Sequence, residues 1–260
     1  MEIHIDCDDG WVYAQDLQNS NFNSISIYPE AIDNFVRVLE KFKLKAVFFV
    51  VGKDLEGNPT CAASLKKAIA AGHKIGNHTY QHNSSFNSLP TEDAELEITK
   101  NHNLLTKRLE IKIEHFRAPG YSQRNDVIPA LLALEYKYEC SSYSGLYLPL
   151  LNLLFKTLKL PKRFLKDNSA SNHNVKKMKN AIATPFKLPT HSTFLAILPS
   201  ILQDILLRNI RKDSEYILFH AIDLVEKIPK KSPHPMSKMS FEVRQQFVEN
   251  VLKKGLKARQ

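Results

Sequence analysis

The chain has 260 residues, 43% of them hydrophobic and 24% charged, which suits one large folded domain and argues against disorder. Its formal net charge of +9 points to an acidic partner or to a basic solvated surface. No basic-aromatic interleaving marks a nucleic-acid binder, so nucleic acid is not expected. Three cysteines at wide spacing (Cys7, Cys61 and Cys140) fit neither a disulfide framework nor a paired-thiolate metal site. With no signal peptide visible, the expected setting is reducing and cytoplasmic.

In chain order, Glu2–Cys7 alternates polar and β-branched residues and reads as a strand. Pro29 opens a helix that carries Ile32, Phe35, Val36, Leu39 and Phe42 at helical spacing. Lys45–Val51 is a nearly continuous apolar run, as for a strand buried on both faces, and Gly52 ends it. A helix over Cys61–Ala71 closes at Gly72, and His73–Gly76 leads as a short strand into Asn77–Asn83. Glu92 to about Leu109 is a long helix with an acidic first turn. Ile113–Phe116 is a strand, Val127–Leu134 a helix and Tyr136–Cys140 a strand. Strand and helix have then alternated four times, the pattern of a parallel sheet wrapped by helices. Leu146–Leu160 and Phe194–Ile210 read as helices, Tyr216–Phe219 as a buried strand and Phe241–Leu252 as a last helix. No run of ~18 apolar residues occurs; the nearest approach, Gly145–Leu160, is interrupted by Pro149, Asn152 and Lys156.

Polar clusters stand where four predicted strands end, and in parallel α/β folds those ends form the functional face. Asp6-Cys7-Asp8-Asp9-Gly10 sets three carboxylates within four residues, which repel one another unless a cation sits among them or water solvates the turn. His78 and His82, at i and i+4, share a face if the segment is helical. With a carboxylate they make a two-His, one-acid set for a divalent first-row ion. Arg117 follows the third strand and can hold a carboxylate, or is an exposed Arg ahead of a Pro-Gly turn. His220 follows the last and can protonate a leaving amine, or is a satisfied core histidine.

Taken in this order, the four segments resemble the polysaccharide deacetylases of the NodB-homology group, carbohydrate esterase family four. Asp6–Gly10 is similar to the family's Thr-Phe-Asp-Asp-Gly motif, and His78-Thr79-Tyr80-Gln81-His82 to its His-Ser/Thr-x-x-His. Arg117-Ala118-Pro119-Gly120-Tyr121 matches Arg-x-Pro-x-Tyr, and Leu218-Phe219-His220 matches Leu-x-His. The stretch Tyr138–Ser142 is similar to a fourth region, without the Asp and Trp often found there. The likeness is good over about residues 1–145 and loose over 180–226. It implies an α/β fold, a distorted (β/α) barrel formed by a single domain over residues 1–260, with a less regular helical insertion at about 146–212.

The resemblance also implies a chemistry. Asp9, His78 and His82 hold a divalent metal, zinc first, with cobalt, nickel or iron as alternatives. Asp8 is the base that takes a proton from water, Arg117 orients it, the backbone N–H of Tyr121 steadies the oxyanion, and His220 protonates the departing amine, with Asp223 as its partner by spacing. A second register remains open, in which Asp6 is the base and Asp8 the ligand; the glycine favours the first. The substrate class implied is an N-acylated sugar in a polysaccharide, glycolipid or lipid-linked precursor. The alternative is a non-catalytic glycan-binding protein on the same fold. The 146–166 and 194–212 segments combine apolar faces with Lys and Arg, which suggests peripheral contact with an anionic membrane on its cytoplasmic face; the alternative is that they simply cap the barrel.

Overall fold

The computed structural model describes residues 2–12, 26–83, 85–121, 123–141, 179–180, 190–208, 216–228 and 235–257. Among them seven strands run parallel in the order β6-β5-β4-β3-β2-β1-β7. These are β1 (Glu2–Cys7), β2 (Val47–Val50), β3 (Lys74–Asn77), β4 (His115–Phe116), β5 (Tyr138–Glu139), β6 (Lys179–Asn180) and β7 (Tyr216–His220). The helices are α1 (Tyr28–Lys41), α2 (Gly52–Gly57), α3 (Pro59–Ala70), α4 (Thr91–Leu109), α5 (Ile128–Ala133), α6 (Ser192–Ile197), α7 (Ser200–Arg208) and α8 (Phe241–Lys257).

The alternation in β1 sets the architecture. Ile3, Ile5 and Cys7 join the large core cluster with Phe35 and Leu39 of α1, Leu65 of α3, Ile98 and Leu105 of α4 and Val248 of α8. Glu2, His4 and Asp6 take the other face. There a second cluster of Val47, Phe49, Cys140, Tyr216 and Leu218 brings together side chains of β2, the end of β5 and β7. Arg117, just past β4, reaches Asp6 of β1 at 3.4 Å, although two strands lie between. In a flat sheet three strand spacings would separate them by ~14 Å. The sheet is therefore curled into the incomplete (β/α) barrel expected, with helices outside and a lined interior.

Helix α1 begins where Pro29 occupies the first turn and ends in Phe42 and a left-handed Lys43 (φ 53°). Its stripe of Ala31, Ile32, Phe35, Val38 and Leu39 is buried, each large side chain contributing about 1.5–3 kcal/mol. Several boundaries differ from the sequence reading, among them four at helices. Gly52 starts the short helix α2 rather than merely ending a strand. Asn58 moves the start of α3 to Pro59 by accepting from the Thr60 N–H at 3.0 Å. The helix expected over 194–210 is two, α6 and α7, because Pro199 cannot continue the first. Helix α8 runs on to Lys257. Residues 142–178, which hold the first proposed membrane-facing segment and much of the expected insertion, lie outside the described residues. Among the described residues no helix is long and apolar enough to cross a membrane, and all three cysteines are buried and free.

Candidate active site

The site is assembled from residues at and just beyond the carboxyl ends of the strands. Asp8, one residue past β1, places Oδ1 3.5 Å from Nε2 of His78 and 3.3 Å from Nε2 of His82. One donor atom from each of the three lies within 4.8 Å of the others. His78 Nδ1 donates to the backbone carbonyl of Arg117 at 2.8 Å, which leaves the Nε2 lone pair facing Asp8. Asp8 Oδ1 is buried and has no hydrogen bond among the described residues. Two imidazole nitrogens and a carboxylate oxygen converging on one point, with an orphaned buried acceptor among them, are the donor set a divalent ion requires, so the residues fit a metal. Burial pushes the Asp8 carboxyl up, but His82 and His78 outweigh it and hold it well below the usual range. Burial pushes His82 down to about 4, against the pull of Asp8.

The segment carrying the histidines is not helical, so the shared helix face does not apply. It is a loop with left-handed residues at Thr79 (φ 62°) and His82 (φ 48°), a conformation that costs a β-branched residue energy unless its surroundings fix it. Here they do. The Thr79 N–H donates to Asn77 Oδ1 at 2.8 Å. Asn101 Nδ2 lies 2.8 Å from both Val50 O and Asn77 Oδ1, and 2.9 Å from Thr79 O. Gly52 N–H also reaches Thr79 O, at 3.1 Å. A Cβ at Gly52 would lie 2.5 Å from Asn101 Oδ1, so only glycine lets the loop approach this closely. Sequence reasoning missed Asn101. Its signal was a polar residue inside the apolar stripe Ala94, Ile98, Leu105 and Leu109 of α4.

Asp6 and Arg117 form the second group. Arg117 Nη1 is 3.4 and 3.5 Å from the two Asp6 oxygens, and Asp6 Oδ2 is 4.0 Å from His78 Nε2. Arg117 is fully buried, with Phe49 and Tyr216 at 4.5 and 4.7 Å from its guanidinium carbon. Burial works against the charge, but Asp6 and neighbouring tyrosines hold its pKa above the ordinary value. Asp6 pairs with His220 across the β1–β7 ladder, which brings His220 to the same end of the barrel.

Asp9, the ligand in the favoured register, is held by partners other than the histidines. Its Oδ1 accepts from the Gly10 and Ile27 N–H groups, both at 2.7 Å, and Oδ2 from Ser26 Oγ at 2.9 Å. That ties the end of β1 to the start of α1 and turns the carboxylate away from the histidines. Burial outweighs these donors and raises its pKa. The structure thus brings Asp8, not Asp9, to His78 and His82, and Asp6, not Asp8, to Arg117.

Tyr121 closes the turn after β4 with φ 56°, next to a left-handed Gly120. Its ring centroid is 6.1 Å from that of His191. His191, also missed from the sequence, stacks obliquely 4.5 Å from the His220 ring and caps α6 by accepting the Thr193 N–H at Nδ1. Asp223 is buried and accepts from the backbone N–H of His220 at 3.0 Å, so the link between them runs through the main chain.

A sequence profile described as Polysaccharide deacetylase matches residues 3–139, just over half of the chain. A relative from Bacillus subtilis (strain 168), the uncharacterized protein YlxY, is 30% identical over 99 residues, 38% of this chain and 30% of that protein. Among solved structures, the carbohydrate esterase family four pseudoenzyme BA3943 of Bacillus anthracis superposes with a TM-score of 0.53 at 14% identity, over 98% of this chain and 60% of that one. The family four carbohydrate esterase from Streptomyces lividans, solved with acetate, does so with a TM-score of 0.51 at 11% identity, over 97% and 87%. These structures establish the fold alone. The chain spans less than two thirds of the length of YlxY and of BA3943.

Proposed function

The chain belongs to the polysaccharide deacetylase family, and from that premise we propose that it is a metal-dependent hydrolase removing an N-acyl group, acetyl first among candidates, from an amino sugar. The observation that carries this reading is the convergence of Asp8, His78 and His82 beside the Asp6–Arg117 pair at the carboxyl ends of β1, β3 and β4.

In this reading Asp8, His78 and His82 hold a divalent ion, zinc by preference of the donor set and cobalt, nickel or iron by tolerance. Such an ion, when bound, supplies Lewis acidity toward a carbonyl and acidity to water. Asp6 is the general base: it takes one proton from the attacking water, and Arg117 holds its carboxylate in place. The Tyr121 N–H offers a hydrogen bond to the carbonyl oxygen as it gains charge. His220 gives a proton to the sugar nitrogen as the C–N bond breaks, so that water's elements end on the carboxylic acid and the free amine. Asp9 has no part in binding the ion and holds the loop.

The test is acetate release from chitooligosaccharides, peptidoglycan fragments and polyprenyl-linked aminosugars, with and without a chelator, beside His78→Ala. Chelator-sensitive release that is lost in the variant is expected. A second reading, a non-catalytic glycan-binding protein, is favoured by the pseudoenzyme among proteins of this fold; glycan binding with no bound metal and no release would establish it instead. Exposed Ile201, Leu202 and Ile205 on α7 support the further proposal of contact with an anionic membrane, and absence of flotation with anionic liposomes at low salt would remove it.

A further inference from the structure

One buried side chain of the barrel interior has no part in the chemistry above. His4 is fully buried on the inner face of β1, two residues before Asp6. Its ring stacks on Tyr216 with centroids 4.3 Å apart and 16° between planes, and meets Phe49 edge-on at 5.0 Å. Nδ1 is in hydrogen-bond contact with Nη2 of Arg117, and Nε2 lies 3.1 Å from a Glu2 carboxylate oxygen. The partners settle the tautomer. A guanidinium only donates, so Nδ1 accepts; a carboxylate only accepts, so the proton sits on Nε2. The imidazole is thus wired between a donor and an acceptor, and burial, with the Arg117 charge, lowers its pKa to about 4 against the pull of Glu2.

Arg117 has little else to hold it. Its contacts to Asp6 are long, at 3.4 and 3.5 Å, and both come from Nη1. Among the described residues its buried Nε has no hydrogen-bond partner. Phe49 and Tyr216 flank the guanidinium, and aromatic faces confine a cation without fixing its rotation in the plane. Nδ1 of His4 is the acceptor that fixes the second terminal nitrogen and so determines where Nη1 points.

We propose that His4 is a positioning residue for this site: neutral and accepting at Nδ1, it locks the Arg117 guanidinium in the orientation that holds the Asp6 carboxylate. The inference rests on the hydrolase reading above for its effect on turnover, but not for the contact itself. Partners that orient a site's functional groups from behind typically change activity by about 10–100-fold, and His4 reaches the Asp6 carboxylate only through Arg117.

The test compares His4→Phe, which keeps a stacking ring without nitrogens, with His4→Asn, whose Oδ1 replaces Nδ1 as acceptor. Turnover in His4→Phe is expected to fall about 10–100-fold, with KM within about twofold and metal content unchanged, and His4→Asn is expected to recover most of the loss. Wild-type turnover in His4→Phe, or equal loss in both variants, would overturn the proposal. Nitrogen-15 NMR of the histidine and arginine side chains reads the contact without catalysis. His4 is expected as the Nε2–H tautomer, with inequivalent Arg117 Nη signals that average in His4→Phe. If the wild type releases nothing from any substrate, the hydrolase reading fails while these spectra still decide the His4 contact. If His4→Phe does not fold, the wild-type spectrum decides, and an Nδ1–H tautomer sinks the proposal.

Discussion

The segments after β1 and after β3 reach the same site by opposite means. At the end of β1 and just past it, three carboxylates lie within four residues and go three ways: Asp6 to Arg117, Asp8 to the histidines, Asp9 to backbone N–H groups near α1. The strand's own alternation does most of this sorting, since Asp6 continues the inner face of Glu2 and His4. After β3, two histidines four residues apart must come together, and no regular structure does it; left-handed Thr79 and His82 fold the loop back, pinned by Asn77 and Asn101. Geometry is free in the first case. In the second it is held by buried amides.

The largest expected effect separates neighbours in the first segment. Asp8→Ala should weaken metal affinity more than ~100-fold, beyond what outer partners contribute, as read by competition with a chelator. Asp9→Ala should leave that affinity within a few-fold and instead lower stability by about 1–3 kcal/mol in urea unfolding, because the Gly10 and Ile27 N–H groups lose their acceptor. If the two variants behave alike, the division of labour drawn above is wrong. In the second segment, Asn101→Ala should cost about 1–3 kcal/mol of stability and also weaken metal binding about tenfold, since it removes the donor shared by Val50, Asn77 and Thr79.

Much of this was legible in the sequence. The parallel α/β order and the four strand ends come from periodicity and motif spacing; the spacing of His78 and His82 suggests a shared helix face, and a loop brings them together instead. The register of the acidic run stays open in the sequence, between Asp8 with Asp9, which the Asp-Asp-Gly likeness favours, and Asp6 with Asp8; the alternation of residues 2, 4 and 6 with Ile3, Ile5 and Cys7 is the signal that goes with the arrangement of side chains described above. What could not be read is long-range. No local rule says that the Arg117 guanidinium meets His4 or that Asn101 braces Thr79, 22 residues earlier; the break at Pro199, by contrast, is a local signal that the continuing apolar pattern masks.

Two smaller effects probe the β3 side further. His73, at the opposite end of β3 from His78, accepts the Ala46 N–H at Nδ1 and is pushed down to about 4, mainly by burial. The unfolded chain therefore binds a proton near pH 6.5 that the folded chain refuses. The stability this contributes is complete above 6.5 and drains away as pH falls toward 4, at up to about 1.4 kcal/mol per pH unit. His73→Asn, which keeps an acceptor but no titration, should flatten the pH dependence of the melting midpoint in that window. Last, Glu110 ends α4 in the left-handed region with φ 57°, but at a helix end rather than in the site. Glu110→Gly should raise stability by up to about 1 kcal/mol, because glycine takes the left-handed region without strain, with no change in metal affinity, unlike any change to the left-handed residues of the histidine loop.

The pairing of β1 with β7 has a consequence for how the molecule is made. The strand that carries His4 and Asp6 leaves the ribosome more than 200 residues before its partner on one side, Tyr216–His220. At 5–20 residues per second that interval is on the order of tens of seconds. Throughout it one edge of β1 has no ladder partner, and the strands already made form a sheet with an open side. A fragment ending near residue 141 would carry most of the site's side chains and still offer that edge to other chains, so it is the arrival of β7 that closes the edge of β1.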